Sequence, residues 1–491
     1  MIEPEQNSTT PASNVVPPAK ANAEAEAAAK ARNTNRRYWL VLAGIAAVCV
    51  LLAWVLRLVV SPAEELFSGA SAAWKNDKKF VPLTEGTWRF IVSGDSRNCG
   101  DVVVPAIASD VLAKYQPSFY WHLGDLRAIY KVDEDMAYAA LANGQYLGCE
   151  NYLKQAWPDF IHHQIAPFGS TPYYLGIGNH EVIWPKGYSR EDPRSTQPKV
   201  NSAQFTSQFA EWLLAPAIKE QRLKDKDCDN PPANSIKAGQ QAPMPECQIL
   251  PRNYYHWIQG GVDFIYLDNA SNVFGDDQIT WLKETLASAR KNDEVRSIVV
   301  GMHEALPESL SADHAMCDTN HKPGKAPPHD PYPYKQSCDD GQTVYNELVD
   351  FQSAGPKRNV YVLASHSHFY MQGIFNIDAW PQTRRLQGWI AGTAGAVRYP
   401  LPKDARGKPG DERTNVYGYL LGTVDQNGKI EFKFQEVKAA DVPSRVSQEF
   451  TPRLVNWCFA HNSEDIDPHA LETTTRCPGP PPPPPSPSPK Q

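Results

Sequence analysis

The sequence has nine cysteines but no Cys-x-x-Cys pair, so it gives no support to a structural zinc site or a thioredoxin-like redox motif. It also lacks an excess of basic residues, because its formal net charge is −7, and nucleic acid is therefore not an expected partner. Aromatic residues are missing from positions 1–37. That segment has little to bury, and we predict a disordered cytoplasmic tail.

An uncharged, mostly apolar run follows this tail. It extends from Tyr38 to Leu56, which is long enough to cross the hydrocarbon core of a membrane as a helix. Basic residues, among them Arg36 and Arg37, lie just before it, so the positive-inside rule places the N-terminus in the cytoplasm. We predict a single transmembrane anchor at 38–60, with the rest of the chain in the periplasm or at the cell exterior. A cleaved signal peptide is the alternative.

The cysteines agree with export from the cytoplasm. Cys49 lies in the apolar run, and the remaining eight form an even set, as a disulfide framework in an oxidising compartment requires. Pairing of neighbours along the chain suggests the bonds Cys99–Cys149, Cys228–Cys247, Cys317–Cys338 and Cys458–Cys477, although spacing alone does not fix connectivity.

Composition divides the remainder of the chain. We predict a juxtamembrane connector at 61–85, a large folded domain at 86–440, a C-terminal extension at 441–477 and a Pro-rich disordered tail at 478–491. Two polar segments, at about 184–251 and 309–342, interrupt the large domain and are too long for ordinary loops. The second segment contains His314. We interpret this segment as a disulfide-pinned loop at the rim of the metal site that the motifs described next predict.

Five stretches carry candidate metal ligands, each directly after a segment that we predict to be a buried strand. The strands are Trp88–Ser93, Phe119–Leu123, Tyr173–Ile177, Ile298–Gly301 and Val360–Ala364. The ligands that follow them are Asp95, Asp125, Asn179, His303, His366 and His368. Because ligands of open α/β sheets bind at the carboxyl ends of strands, we expect these side chains to converge.

The donor atoms of this set are oxygen and nitrogen without a thiolate. Such a set favours Fe, Zn or Mn over an iron–sulfur cluster or a closed structural zinc. Six ligands are too many for one tetrahedral ion. We therefore predict two divalent or trivalent metal ions that share one carboxylate, a centre whose chemistry is displacement at phosphorus by a metal-generated hydroxide.

In their order along the chain, these motifs resemble those of the calcineurin-like metallophosphoesterase superfamily, with a leaning toward its purple-acid-phosphatase-like branch. The resemblance covers roughly residues 88–437 and implies a four-layer α/β/β/α sandwich. It implies that Asp125 bridges the metals, that Asn179, His303 and His366 hold one ion, and that Asp95 and His368 hold the other. It also implies that His180 is the acid near the leaving group and that Glu181 orients His180.

Two positions depart from the family pattern. Arg97 stands where most members have a ligand, usually histidine, and Ala128 stands where the purple branch has an iron-binding tyrosine, with Tyr130 two places later. The Asp95 ion should therefore be the more weakly held, and a tyrosinate-to-iron chromophore has no support. We expect Arg97 and Arg127 to neutralise phosphate charge, because guanidinium matches phosphate geometry. A salt bridge from Arg97 to Asp101 is the alternative.

Other polar residues are not assigned to the site. We interpret His122, His162 and His163 as packed or solvated histidines and Asp268 as a structural loop residue.

The function that follows is a membrane-anchored, extracytoplasmic, metal-dependent hydrolase of phosphate esters, with monoesters favoured over diesters. One alternative is a phosphodiesterase acting on nucleotides or lipid headgroups. Another is a non-catalytic surface binding module on a degenerate fold, against which the retained His180 argues.

Overall fold

The computed structural model describes residues 85–182, 197–229, 247–311, 314–317, 334–355, 358–402 and 412–464. The chain divides into two units, residues 1–77 and 78–491, and the described residues all belong to the second. Among them, no helix has the length and apolar character that a membrane span requires. The predicted anchor, Tyr38–Leu56, lies outside the described residues.

The strands of the described residues form two sheets. They are β1 (Trp88–Ser93), β2 (Tyr120–His122), β3 (Tyr173–Leu175), β4 (Tyr255–Gln259), β5 (Val262–Leu267), β6 (Ser297–Met302), β7 (Asn359–Ala364), β8 (Tyr370–Gln372), β9 (Gln387–Ala391), β10 (Glu412–Arg413), β11 (Tyr417–Val424) and β12 (Ile430–Val437). The strand order is β12-β11-β1-β2-β3 in the first sheet and β10-β8-β9-β7-β6-β5-β4 in the second.

The helices come mainly between the strands. They are α1 (Gly100–Lys114), α2 (Glu134–Ala142), α3 (Cys149–Phe160), α4 (Gln197–Gln208), α5 (Ala210–Leu213), α6 (Pro216–Asp225), α7 (Asp276–Lys291), α8 (Tyr334–Ser353), α9 (Ser444–Glu449) and α10 (Thr451–Ala460). A π-helical turn at Ile161–Ile165 extends α3, and short 3-10 segments occur at Ala166–Phe168, Asn179–Val182, Gln382–Arg384 and Ala439–Asp441.

Alternating side chains explain why the two sheets pack face to face. On β5, Val262 and Phe264 belong to one hydrophobic cluster, whereas Ile265 and Leu267 belong to another. Successive side chains of a strand point to opposite faces, so this strand is buried on both sides. Across the interface between the sheets, the ring of Phe264 meets that of Phe90 edge to face at 5.0 Å.

Helices cover the outer face of each sheet. The hydrophobic cluster that contains Ile265 and Leu267 lies between the second sheet and the helices α7 and α8. These helices contribute Leu282, Leu286 and Leu348 to it. On the other side of the molecule, α1 lies against β11 and β12 of the first sheet. The fold is therefore a mixed α/β structure with two sheets, which is consistent with the predicted sandwich.

Parallel pairing brings the predicted ligand-bearing ends of the strands together. In the first sheet β1, β2 and β3 are parallel neighbours, and α1 is the crossover between β1 and β2. In the second sheet β6 and β7 are parallel neighbours. Parallel strands end at the same edge of their sheet, which is where α/β proteins bind ligands.

The insertions contain more regular structure than loops would. The first insertion carries α4, α5 and α6. Its Phe205, Phe209 and Leu213 belong to the hydrophobic cluster that contains Phe264, which we call the main core. The second ends in α8, which begins at Tyr334. Between β2 and β3, α2 and α3 are separate helices, because Gly144 adopts a φ of 69° and ends the first.

Disulfide pairing is confirmed for two of the four suggested bonds, Cys228–Cys247 and Cys317–Cys338. Cys99 instead pairs with Cys458 across a sequence separation of 359, so the suggested bonds from Cys99 to Cys149 and from Cys458 to Cys477 are wrong. The reason is that Cys99 and Cys458 are both fully buried in the main core, where α10 packs near the start of α1. Cys149 is disulfide-bonded as well.

The predicted domain boundary at 440 also needs correction. Phe450, Leu454 and Trp457 of α9 and α10 belong to the main core, and the Cys99–Cys458 bond fastens α10 to the start of α1. The described part of the predicted C-terminal extension is therefore integral to the domain.

Candidate metal centre

Three of the predicted ligands have an unusual backbone conformation. Asp95, Asp125 and His366 have φ angles of 60°, 57° and 62°, and each lies just beyond the end of its strand. Positive φ is uncommon for residues other than glycine and costs about 1–3 kcal/mol. Strain of this kind is concentrated at functional sites, where the surrounding structure enforces it.

A first group of donor atoms centres on His303. Its Nε2 atom lies 2.9 Å from Asn179 Oδ1, 3.1 Å from His366 Nδ1 and 3.2 Å from Asp125 Oδ1. On the other side of the ring, Nδ1 lies 3.1 Å from the carbonyl oxygen of Leu123. A carbonyl only accepts, so the ring proton belongs on Nδ1 and the lone pair on Nε2 faces the group.

This first group fits a cation. A carboxylate oxygen, an amide oxygen and an imidazole lone pair are all acceptors, and acceptors at hydrogen-bonding distance repel one another unless positive charge lies between them. The backbone of Gly178 lies so close to Asp125 that a Cβ on Gly178 would be 2.4 Å from Asp125 Oδ1. Glycine is therefore required in the Gly-Asn-His-Glu motif for steric reasons.

A second group consists of Asp95, Asp125 and His368. The Nε2 atom of His368 lies 3.2 Å from Asp95 Oδ1. Two buried oxygens in this group, Asp95 Oδ1 and Asp125 Oδ2, have no hydrogen-bond partner among the described residues. The two groups share Asp125, which is the residue that the family resemblance implies as a bridge.

The protonation states suit ligation. Burial lowers the pKa of His366 and of His368, which keeps both imidazoles neutral, as metal binding requires. Burial opposes ionisation of Asp95, but the charge of Arg97 helps to lower the pKa of this carboxyl below its ordinary value, and the backbone N–H of His366 donates to its Oδ2 at 2.7 Å. The group therefore presents ionised carboxylate beside neutral imidazole.

The carboxylate of Glu181 binds the backbone of two loops of the centre. It accepts hydrogen bonds from the backbone N–H groups of Asp125, Leu126 and Gly178, and so ties together the loops that follow β2 and β3. In this structure Glu181 thus acts on the backbone that carries the candidate ligands, and its role in orienting His180 stays a prediction.

The ring of His180 is held by another contact. Its Nδ1 lies 2.8 Å from the carbonyl oxygen of Ala128, its Nε2 lies 3.6 Å from Asp125 Oδ2, and the ring of Tyr130 lies 5.1 Å away. Burial and the charge of Arg97 lower the pKa of His180 to about 3. The imidazole is therefore neutral at physiological pH.

Arg97 lies in the second group and not on the surface. Its Nη2 lies 2.9 Å from His368 Nε2 and its Nε lies 3.5 Å from Asp125 Oδ2. The alternative that Arg97 points away and pairs with Asp101 is wrong, because Asp101 pairs with Arg127 at 2.6 Å.

Arg127 is buried within a set of carboxylates that we call the acidic cage. The cage consists of Asp101, Asp133, Asp135 and Asp159. The side chain of Arg127 is 0% exposed, and its guanidinium is directed into the cage. The assignment of Arg127 to phosphate binding is therefore corrected: nearness to Asp125 in sequence did not bring its charge to the site.

His163 closes the acidic cage on the side of α9. Its Nδ1 lies 3.0 Å from Asp159 and its Nε2 lies 3.1 Å from Glu449. Burial opposes protonation of the ring, but these carboxylates raise the pKa of His163 to about 11. His163 is thus a structural cation.

This pKa shift predicts a pH dependence of stability. The folded-state pKa of His163 lies above its ordinary value of 6.5, so its contribution is complete below that pH and is lost as pH rises toward 11. The free energy of unfolding should fall by up to about 1.4 kcal/mol per pH unit in this window. Urea denaturation at a series of pH values measures it. His163→Gln should flatten the slope, and parallel slopes in both proteins would contradict the assignment.

Two residues that border the site were not assigned to it from the sequence. The ring of Tyr399 stacks on His368 at 3.9 Å and on His314 at 5.2 Å. His314 comes from the second insertion, and its ring lies 5.1 Å from that of His366, as a rim loop requires. No motif signals Tyr399, because it lies in an irregular segment after β9.

His122 and Asp268, which we interpreted as structural residues, form hydrogen bonds within the surrounding loops. His122 Nδ1 accepts from the N–H of Gly124, and its Nε2 lies 3.0 Å from Ser96 Oγ. Asp268 accepts from the N–H of Ala270.

No family model matches the sequence, and no curated protein matches it significantly. Similar solved structures include a purple acid phosphatase from yellow lupin (Lupinus luteus), with 13% identity, a TM-score of 0.42, and coverage of 72% of this chain and 52% of that chain. GAP50, the anchor in the inner membrane complex of Plasmodium, has 11% identity, a TM-score of 0.41, and coverage of 72% and 85%. A 5'-nucleotidase from Candida albicans has 12% identity, a TM-score of 0.30, and coverage of 78% and 57%.

The chain thus spans about half the length of the purple acid phosphatase that it matches. The protein resembles calcineurin-like metallophosphoesterases. That resemblance is carried by the five motifs and by their meeting at one edge of the sheets, because overlaps with TM-scores below 0.5 carry no argument of their own.

Proposed function

We propose that this protein is a metal-dependent hydrolase of phosphate esters. The observation that carries the proposal is the meeting of carboxylate and imidazole donors, from strand ends of both sheets, in two groups that share Asp125. The thiolate-free donor set suits Fe, Zn or Mn. When bound, such ions supply Lewis-acid charge and a hydroxide at neutral pH for displacement at phosphorus.

The residues of the chain would divide the remaining work. Asn179, His303 and His366 would hold an ion together with Asp125, and Arg97 would bind a phosphoryl oxygen, for which a guanidinium is well suited. The carbonyl of Ala128 engages Nδ1 of His180, and the lowered pKa of the ring favours its neutral form, so its Nε2 is an acceptor. The acid role that the resemblance implies would require a proton that Arg97 opposes. We therefore assign His180 to orienting the substrate or a water molecule as a hydrogen-bond acceptor.

We extend the proposal to monoesters and to a place outside the cytoplasm. The charge of Arg97 adds to that of metal ions, which suits a dianionic monoester better than a diester. The disulfides of the described domain are typical of an oxidising compartment. Residues 38–60 would tether the domain to a membrane.

A two-substrate assay tests the proposal. We expect the purified protein to hydrolyse p-nitrophenyl phosphate faster than bis-p-nitrophenyl phosphate, and expect both rates to rise with added Mn or Zn and to fall with a chelator. His303→Ala, which removes a ligand, is the inactive control. A reversed preference would identify a diesterase. Absence of turnover of both esters by metal-loaded protein would favour the non-catalytic binding module.

A further inference from the structure

The second group of donor atoms, Asp95, Asp125 and His368, differs from the first because the guanidinium of Arg97 already lies in it. The Nδ1 of His368 lies 2.6 Å from the carbonyl oxygen of Val397, so the ring proton is on Nδ1 and the lone pair is on Nε2. That lone pair accepts from Arg97 Nη2 at 2.9 Å. The same lone pair cannot bind a metal ion while it accepts this hydrogen bond.

The balance of charges in the two groups also argues against a second metal ion. Asp95 and Asp125 are fully buried, and Arg97, which is always protonated, is 7% exposed. One divalent ion in the first group together with one guanidinium in the second already exceeds the charge of these two carboxylates. A second divalent ion would add uncompensated positive charge to a buried site, which is costly.

Moving Arg97 aside would also be costly. Its guanidinium contacts His368 and Asp125 and lies beside the ring of His180. Displacement would break charge-assisted contacts in a buried site. The second group also lacks a ligand from position 128, which is alanine.

We propose that Arg97 takes the place of the second metal ion, so that the centre holds one ion, at Asp125, Asn179, His303 and His366, beside a fixed guanidinium. This inference rests on the proposed function and specifies its charge arrangement. The guanidinium would bind the phosphoryl oxygens on the Asp95 side, where its N–H groups can donate to them.

Metal analysis tests the inference without reference to turnover. The protein is loaded with excess Mn2+, desalted and analysed for manganese per chain. We expect one retained ion in the wild type and two in Arg97→His, which removes the guanidinium and adds an imidazole. Low-temperature EPR should show an isolated Mn2+ in the wild type and an exchange-coupled pair in the variant. Arg384→His, which adds a histidine outside the two groups, should retain one ion.

Inhibition by inorganic phosphate gives an independent measurement. Arg97→Gln removes the charge while keeping a polar side chain, and we expect phosphate to bind at least about tenfold more weakly to it. Two retained, coupled ions in the wild type would overturn the inference and leave the proposed function intact. One ion in Arg97→His, if that variant is folded by circular dichroism, would also overturn it. A wild type that retains no ion and hydrolyses neither ester would overturn the proposed function itself.

Discussion

Asp125→Asn is expected to abolish phosphate-ester hydrolysis while leaving the domain folded. The substitution keeps the shape of the side chain and the acceptor for the N–H of His180, which lies 3.0 Å from Asp125 Oδ1. It removes the negative charge that both groups of donor atoms share. Mutation of residues that only orient metal ligands already lowers metal affinity or activity by about 10–100-fold. For Asp125→Asn we therefore expect kcat/KM to fall by at least about a hundredfold. Steady-state kinetics and metal analysis measure it.

The effect should be larger than that of removing a ligand from the first group alone. His303→Ala and His366→Ala should each lose activity and retained metal, but Asp125→Asn should lose the most metal. Asp110→Asn is the matched control, because Asp110 is also buried and accepts from Tyr419 in the main core. Wild-type turnover in the three site variants would show that the centre is assigned wrongly.

Much of this centre could be predicted because local rules determine it. The predicted strands Trp88–Ser93 and Val360–Ala364 are recognisable from apolar runs, and the structure has strands at Trp88–Ser93 and Asn359–Ala364. Ligands placed after parallel strands then converge, because parallel strands end at one edge. Neither step requires knowledge of contacts between distant residues.

The remaining features depend on contacts that sequence spacing does not encode. Cys99 pairs with Cys458 because α10 returns to the start of α1. Arg97 and Arg127 each follow a candidate metal-ligating Asp at the same spacing, yet one enters the candidate centre and the other enters the acidic cage. The difference comes from the carboxylates of α1, α2 and α3 and of Asp133 just before α2, which are brought around Arg127 only by the tertiary fold.

Arg127→Leu is expected to destabilise the domain by about 3–5 kcal/mol, the usual cost of removing one partner from a buried ion pair. The variant leaves Asp101, Asp135 and Asp159 without their shared cation. Chemical denaturation near neutral pH measures the change. Arg222→Leu is the matched control, because Arg222 is also buried but its partners Asp227 and Asp229 are 23% and 22% exposed and can be hydrated. It should cost less.

The loss in Arg127→Leu should also depend on pH in a defined direction. Burial raises the pKa of Asp101 to about 7 even beside Arg127, which lowers it, so removal of Arg127 should raise that pKa further. A carboxyl whose folded-state pKa is above its unfolded value destabilises at high pH, and stability returns as the pH falls through the folded-state pKa. The variant should therefore recover toward the wild type on acidification, and Asp101→Asn should partly rescue it at neutral pH. Phosphate inhibition of the folded variant should be unchanged, whereas a tenfold weaker inhibition would return Arg127 to the substrate site.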